Sequence, residues 1–171
     1  MTPRLLAAVS FAARAHAGQT RKDGKTPYAA HPMRVAMIVR DAFGCEDEIA
    51  LLAALLHDTI EDTTTDYDDV SGAFGAEVAD VVASLTKNMA LPEAQREREY
   101  DERLSRGGWR AAIVKLGDAY DNLSDTEAAR PEKREKFREK CVRAIDIARP
   151  HAAERPEVAR AIAAVEALLR G

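Results

Sequence analysis

His57 and Asp58 follow the run Leu51-Leu52-Ala53-Ala54-Leu55-Leu56. A histidine and a carboxylate at the end of so apolar a helix sit close to a core, where an isolated aspartate is costly unless it is paired, hydrogen-bonded or bound to a metal. Adjacent helical residues point about 100° apart, so the two can share an ion only if it lies against the helix flank and other segments complete its shell. The pair alone suits a satisfied core histidine beside a cap equally well. Its surroundings favour chemistry. Glu61 and Asp62 come one helical turn after His57 and Asp58, and if the helix continues they occupy the same two faces. His31 directly precedes Pro32 at a helix start, Asp118 sits at the polar edge of the apolar stretch around Val114 and Leu116, and Asn122 shares its face one turn later. Imidazoles and carboxylates in such a mixture suit a borderline divalent cation such as Mn2+, Fe2+ or Zn2+, without choosing among them.

Helices must bring these segments together. Apolar spacing predicts helices over residues 3–17, 32–43, 46 to between 57 and 61, 66–74, 76–85, 92–106, 109–123, 131–148 and 156–169. Pro3 near the first start and Gly18 beyond its end follow the usual asymmetry of helix termini. Apolar stripes are formed by Val35, Ile38 and Val39, by Ile49, Leu52, Ala53 and Leu56, by Val78, Val81, Val82 and Leu85, and by Ile113, Val114 and Leu116. Residues 18–27 are polar, and the Asp23-Gly24 pair with Pro27 marks a loop containing a turn. No period-2 strand is evident, so the expected class is all-α.

The chain has 171 residues, 46% hydrophobic and 32% charged, with aromatics at only 5%. That balance belongs to a globular protein rather than a disordered one and favours helices over strands. Its length points to a single domain over residues 1–171. The net charge of −4 excludes a global basic surface for nucleic acid, while an anionic small molecule needs only local positive charge and a metal carries its own. Cys45 and Cys141 read as free thiols of a reducing cytoplasm. Arg4, the stretch Leu5-Leu6-Ala7-Ala8-Val9 and Ala13-Arg14-Ala15 have the outline of a weak secretory signal. The stretch is short, however, Ser10 and Arg14 interrupt it, and the amphipathic pattern runs on into His16. No stretch is long enough to span a membrane. A homodimer stays open.

The set His31, His57-Asp58 and Asp118 resembles the HD superfamily of metal phosphohydrolases. His16-Ala17-Gly18-Gln19-Thr20-Arg21-Lys22, Pro27-Tyr28-Ala29-Ala30-His31-Pro32 and Leu56-His57-Asp58-Thr59-Ile60-Glu61-Asp62-Thr63 resemble the hydrolase domain of RelA/SpoT alarmone enzymes. Phe74-Gly75-Ala76-Glu77-Val78, Leu85-Thr86-Lys87 and Lys115-Leu116-Gly117-Asp118 with Asn122 extend the likeness, which runs in motifs from His16 to about Asp125. Without a synthetase or regulatory segment after it, the chain has the outline of a free-standing small alarmone hydrolase. The resemblance implies an HD-domain fold of about eight to ten helices. It further implies Mn2+ as cofactor and removal of the 3′-pyrophosphate of ppGpp or pppGpp, leaving GDP or GTP. His31, His57, Asp58 and Asp118 would be the metal ligands and Glu61 and Asp62 the catalytic acidic pair. Arg21 and Lys22 would face the nucleotide, with Asn122 beside it.

The implied roles make chemical sense. A bound dication lowers the pKa of its water and offsets charge on phosphorus oxygens, and Glu61 and Asp62 could position that water or move its proton. A guanidinium such as Arg21 can stack on a base and pair with phosphate. Lys115, one turn before Asp118, is the best placed of the remaining cations for substrate, and Tyr28 either walls the pocket or simply packs. His16 reads as a structural hydrogen-bonding residue rather than a ligand. Three positions depart from the family pattern. Ala119 and Ser124 stand where basic residues are frequent, and Asp121 adds an acid beside the site. They leave the metal set intact and the base open, so the alternatives are an adenine-alarmone (ppApp-type) hydrolase, another HD nucleotide phosphohydrolase, or a non-catalytic nucleotide sensor.

Overall fold

The computed structural model of the chain describes residues 2–124 and 131–170. Asp125, at the end of the motif stretch, lies outside them. In chain order the elements are α1 (Pro3–Ala15), α2 (Ala30–Met37) running into a π-helical turn (Ile38–Ala42), α3 (Glu48–Leu56), α4 (Thr59–Asp62), α5 (Tyr67–Phe74), α6 (Ala76–Leu85), α7 (Glu93–Arg106), α8 (Gly108–Ser124), α9 (Pro131–Ala148), a 3-10 turn (Arg149–His151) and α10 (Pro156–Arg170). The all-α expectation holds: among the described residues the extended pairing consists of one isolated bridge, Thr20 with Pro27.

Helix α3 is the axis of the fold. Every residue from Ala50 to Leu56 is buried, as expected of a helix that is apolar on all sides. It packs against α1, α2, α6 and α8. Asp47 caps it, its side chain accepting from the Ala50 N–H at 2.9 Å, which satisfies one of the orphan donors of the first turn. Helix α8 lies against α2, α3, α9 and α10. Gly117 sets how closely α8 meets α2: a Cβ there would stand 2.8 Å from Val39 Cγ2 and 3.2 Å from Val35 Cγ1. This close approach brings Asp118 of α8 up to His31 of α2. Gly117→Val must therefore push α2 and α8 apart, and is expected to cost about 1–3 kcal/mol in denaturant unfolding. An unchanged midpoint would show that the approach is not tight.

Two segments depart from the expected helices. The segment expected at 32–43 starts two residues earlier, at Ala30, so that His31 lies inside α2, and it closes in a wider turn in which the Phe43 N–H donates to Ile38 O at 3.0 Å, five residues back. The helix after Asp47 does not continue through His57. It ends at Leu56, and the one-turn α4 begins at Thr59. Side chains take over the carbonyls at this end: His57 Nδ1 donates to Ala54 O at 2.9 Å and Thr59 Oγ1 to Leu56 O at 2.7 Å. Such local side-chain bonds compete with helix continuation. The break places His57 and Asp58 at a corner rather than along one helix.

The polar loop after α1 is a built turn. Asp23 accepts from the Lys25 and Thr26 N–H groups, each at 2.9 Å, and from Thr26 Oγ1 at 2.6 Å. These bonds hold its carboxyl down to about 2. The Arg21 N–H donates to Thr26 O and the Tyr28 N–H to Gln19 O, at 2.8 and 2.9 Å. The turn therefore presents Arg21 and Tyr28 towards the ends of α3 and α8.

Candidate metal centre

Three elements converge on one point. Helix α2 carries His31, the α3–α4 corner carries His57 and Asp58, and α8 carries Asp118. Donor atoms of His31, His57 and Asp118 all lie within 4.8 Å of one another. His31 Nε2 is 3.2 Å from Asp118 Oδ1 and 3.5 Å from Asp58 Oδ2. His57 Nε2 is 3.2 Å from Asp58 Oδ2 and 4.0 Å from Asp118 Oδ1. Both imidazoles are buried, while both aspartates keep some exposure towards a cavity of about 200 Å³.

The donor set fits a divalent cation. His57 Nε2 is fully buried and has no hydrogen-bond partner, although carboxylate oxygens surround it. Its other nitrogen is committed to Ala54 O, which leaves the Nε2 lone pair facing Asp58 and Asp118. A buried polar atom left this way demands an explanation, and a shared ion supplies one. The carboxylates call for positive charge as well. Asp58, Glu61, Asp62 and Asp118 line the cavity, against Lys87 and Lys115.

Without an ion, the imidazoles must supply that charge. Burial opposes protonation of His57, but the Asp58 and Asp118 carboxylates outweigh it and hold its pKa up at about 9. Burial likewise works against His31, and its bonds to Asp118 and Asp121 raise it nonetheless. Asp58 is penalised by burial yet held down at about 2 by the neighbouring His57 charge. Asp118, also penalised by burial, lies well below the usual carboxylate range because Lys115 donates to it at 2.7 Å.

A pH prediction follows for the metal-free protein. His57 titrates at 6.5 ordinarily and near 9 when folded. The stability its charge contributes is complete below pH 6.5 and is lost as pH rises through 9. Asp58 acts in the opposite sense: its contribution is complete above pH 3.8 and is lost as pH falls through about 2. The Tm in EDTA should therefore fall as pH is raised from 6.5 towards 9. Anaerobic Mn2+ should remove most of that fall, because the ion replaces the imidazolium charge. A Tm in EDTA that is flat or rising over this range would contradict the assignment.

The remaining predicted residues fall into two groups. Tyr28, Glu61, Asp62, Lys115 and Asn122 line the same cavity as the donors. The Tyr28 hydroxyl donates to Asp58 Oδ2 at 2.6 Å and stands 3.2 Å from Asp62 Oδ2, so it is an acid-binding group rather than plain packing. Burial and the adjacent carboxylates raise its pKa. Glu61 accepts from the Lys87 N–H at 2.7 Å. Burial, then the charge of Asp58, raises both Glu61 and Asp62 above the usual carboxylate range. Lys115 is a partner of Asp118 and lies 5.5 Å from the centre of the Tyr100 ring. Asn122 donates to Asp118. Arg21 and Lys22 do not line the cavity. Arg21 stands at its rim, with Nη2 3.3 Å from Asn122 Oδ1 and its guanidinium 5.9 Å from the Tyr28 ring centre. Lys22 is exposed on the loop.

His16 bears out the structural reading in part. Its Nδ1 pairs with Gln19 Oε1 at 2.8 Å and its ring lies 4.7 Å from that of Tyr28, yet its Nε2 is buried without a partner. Tyr100 of α7 also lines the cavity. The clue to it is an aromatic on the sparse apolar stripe of a highly charged helix, one turn before Leu104.

The chain belongs to the HD domain family, whose family model matches residues 8–144. Within that family it is similar to guanosine-3′,5′-bis(diphosphate) 3′-pyrophosphohydrolase MESH1 of Homo sapiens. The two are 44% identical over 130 residues, which cover 75% of this chain and 73% of the human protein. It is also 35% identical over 140 residues to the bifunctional (p)ppGpp synthase/hydrolase SpoT of Escherichia coli, spanning 78% of this chain and 20% of that one. A solved structure of a metazoan ortholog of SpoT, a protein that hydrolyzes ppGpp, superposes with a TM-score of 0.86. That match is at 28% identity and covers 99% of this chain and 96% of the other.

Proposed function

We propose that this chain is a metal-dependent 3′-pyrophosphohydrolase of guanosine alarmones, cleaving ppGpp and pppGpp to GDP and GTP plus pyrophosphate. The observation that carries this reading is the meeting of His31, His57, Asp58 and Asp118 beside Glu61 and Asp62 at one cavity. The likeness to the human 3′-pyrophosphohydrolase supports the choice of substrate. The four converging residues hold the ion, which is Mn2+. When bound, it supplies Lewis-acid charge towards the phosphoryl oxygens and lowers the pKa of water.

The protein's own groups do the rest. The cavity, at about 200 Å³, is smaller than the roughly 300–1,000 Å³ of a typical ligand pocket. It takes the 3′-pyrophosphoryl end, while ribose and base extend to the rim where Arg21 stands. Lys87 and Lys115 offset phosphoryl charge within it. Glu61, anchored through one oxygen by the Lys87 N–H, takes a proton from the attacking water; its raised pKa makes it the stronger base for that task. Water oxygen bonds to the phosphorus carried on the 3′ oxygen, the bond between that phosphorus and the 3′ oxygen breaks, and the departing oxygen receives the proton. Asp62, linked through Tyr28 to Asp58, orients the water. Buried, unpaired Cys45 and Cys141 suit a cytoplasmic setting.

The test is product identification by 31P NMR with Mn2+ and ppGpp, pppGpp and ppApp as substrates. Pyrophosphate with GDP or GTP is the expected outcome, abolished by EDTA. Release of orthophosphate alone, or no turnover of the guanosine compounds, would overturn the proposal. Preferential turnover of ppApp would move the substrate to adenine alarmones.

A further inference from the structure

His31 has both ring nitrogens committed, and only one of them faces the donor cluster. Nε2 points at Asp118 and Asp58, at 3.2 and 3.5 Å. Nδ1 lies 2.6 Å from Oδ2 of Asp121, a buried residue one turn beyond Asp118 on α8. Asp121 belongs neither to the donor cluster nor to the cavity lining. An ionised carboxylate has no proton to give, so Nδ1 carries the hydrogen and donates it. Arg34 fixes the carboxylate in plane, its Nε donating to Oδ1 at 2.6 Å and its Nη2 to Oδ2 at 3.0 Å. That two-pronged geometry is the strong and specific form of the arginine–carboxylate pair. Arg21 Nη2 stands 3.4 Å from Oδ2 as a second, more distant cation. Burial opposes the charge, but the bonds from His31 and Arg34 outweigh it and hold the carboxyl below its usual range. His57 is oriented by a neutral backbone carbonyl instead. The two imidazoles are therefore held by different devices.

We propose that Asp121 is a positioning residue for the metal centre: clamped by Arg34, it fixes His31 with Nδ1 protonated and the Nε2 lone pair aimed at the cation. A carboxylate behind a ligating imidazole also makes that imidazole a better donor, and loss of such a partner typically weakens metal binding by about 10–100-fold. The inference rests on the metal centre proposed above, and extends it to a residue outside the ligands.

The experiment is Mn2+ titration by calorimetry, without nucleotide, of the full chain and of Asp121→Asn, Asp121→Glu and Arg34→Gln, with Tm measured in EDTA alongside. Asp121→Asn should weaken Mn2+ binding by about 10–100-fold; it also breaks a buried charge pair and should lower the metal-free Tm, so affinity is read at a temperature well below that Tm, where the variant is folded. Asp121→Glu should recover part of the affinity. Arg34→Gln should weaken binding several-fold; its side chain is 40% exposed, so this variant keeps the test open even where Asp121→Asn does not fold. In the metal-free protein, the His31 Nδ1–H proton should be seen by 15N-edited NMR and lost in Asp121→Asn. Wild-type Mn2+ affinity in both Asp121→Asn and Arg34→Gln, or in Arg34→Gln alone when Asp121→Asn is unfolded, overturns the inference. Failure of the wild-type chain itself to bind Mn2+ overturns the metal centre, and the inference with it.

Discussion

Asp58→Ala is expected to lose metal and hydrolytic activity together. Asp58 Oδ2 lies within 3.5 Å of Nε2 of both histidines, so the substitution removes an oxygen that faces both imidazoles and the acceptor of the Tyr28 hydroxyl. Loss of an outer partner costs about 10–100-fold in metal affinity, and loss of a ligand should exceed that range. Mn2+ content after dialysis, measured by mass spectrometry, should fall from near one per chain to background, and turnover should fall with it. The effect should not be a general collapse of the fold. The side chain sits at the α3–α4 corner with a fifth of its surface exposed, while the packing of α3 rests on Leu52 and Leu56, which are fully buried. Full metal occupancy in this variant would contradict the assignment.

Glu61→Gln should separate chemistry from metal binding. Glu61 lines the cavity but is held by the Lys87 N–H rather than by the histidines. The amide keeps its shape and cannot take a proton. Loss of a general base costs about 10²–10⁴-fold in rate, so kcat should fall by that order while Mn2+ affinity changes only a few-fold. The pH profile gives a second readout. Burial raises the Glu61 pKa, and the carboxylate must be ionised to act. Activity therefore falls as pH drops through that raised value, and the part of the acid limb due to Glu61 should vanish in Glu61→Gln. Equal losses of kcat and metal affinity would make Glu61 a member of the ion's shell instead.

The helices were readable because burial imposes a period. The stripe Val78, Val81, Val82 and Leu85 marks α6 residue for residue, and the unbroken apolar run before His57 marks α3 as the buried axis. The donor types were readable too, since an acid and an imidazole beside such a run require an explanation. The corner at His57 was not. Whether α3 continues to Asp62 turns on the bonds of His57 Nδ1 and Thr59 Oγ1 to helix carbonyls, which periodicity does not register. The task of Asp121 was hidden for a different reason. It was visible as an extra acid, but its bond to His31 spans 90 positions and exists only because Gly117 lets α8 press against Val35 and Val39. Tyr28 was equally ambiguous between wall and filler until the turn fixed by Asp23 aimed its hydroxyl at Asp58 and Asp62.

A crystal of the full chain grown with Mn2+, with anomalous diffraction collected above the manganese edge, addresses the metal centre directly. The expected result is a single strong anomalous peak within direct coordination distance of Nε2 of His31, Nε2 of His57 and a carboxylate oxygen of each of Asp58 and Asp118. A peak elsewhere, or none between these side chains at full Mn2+ loading, would contradict it.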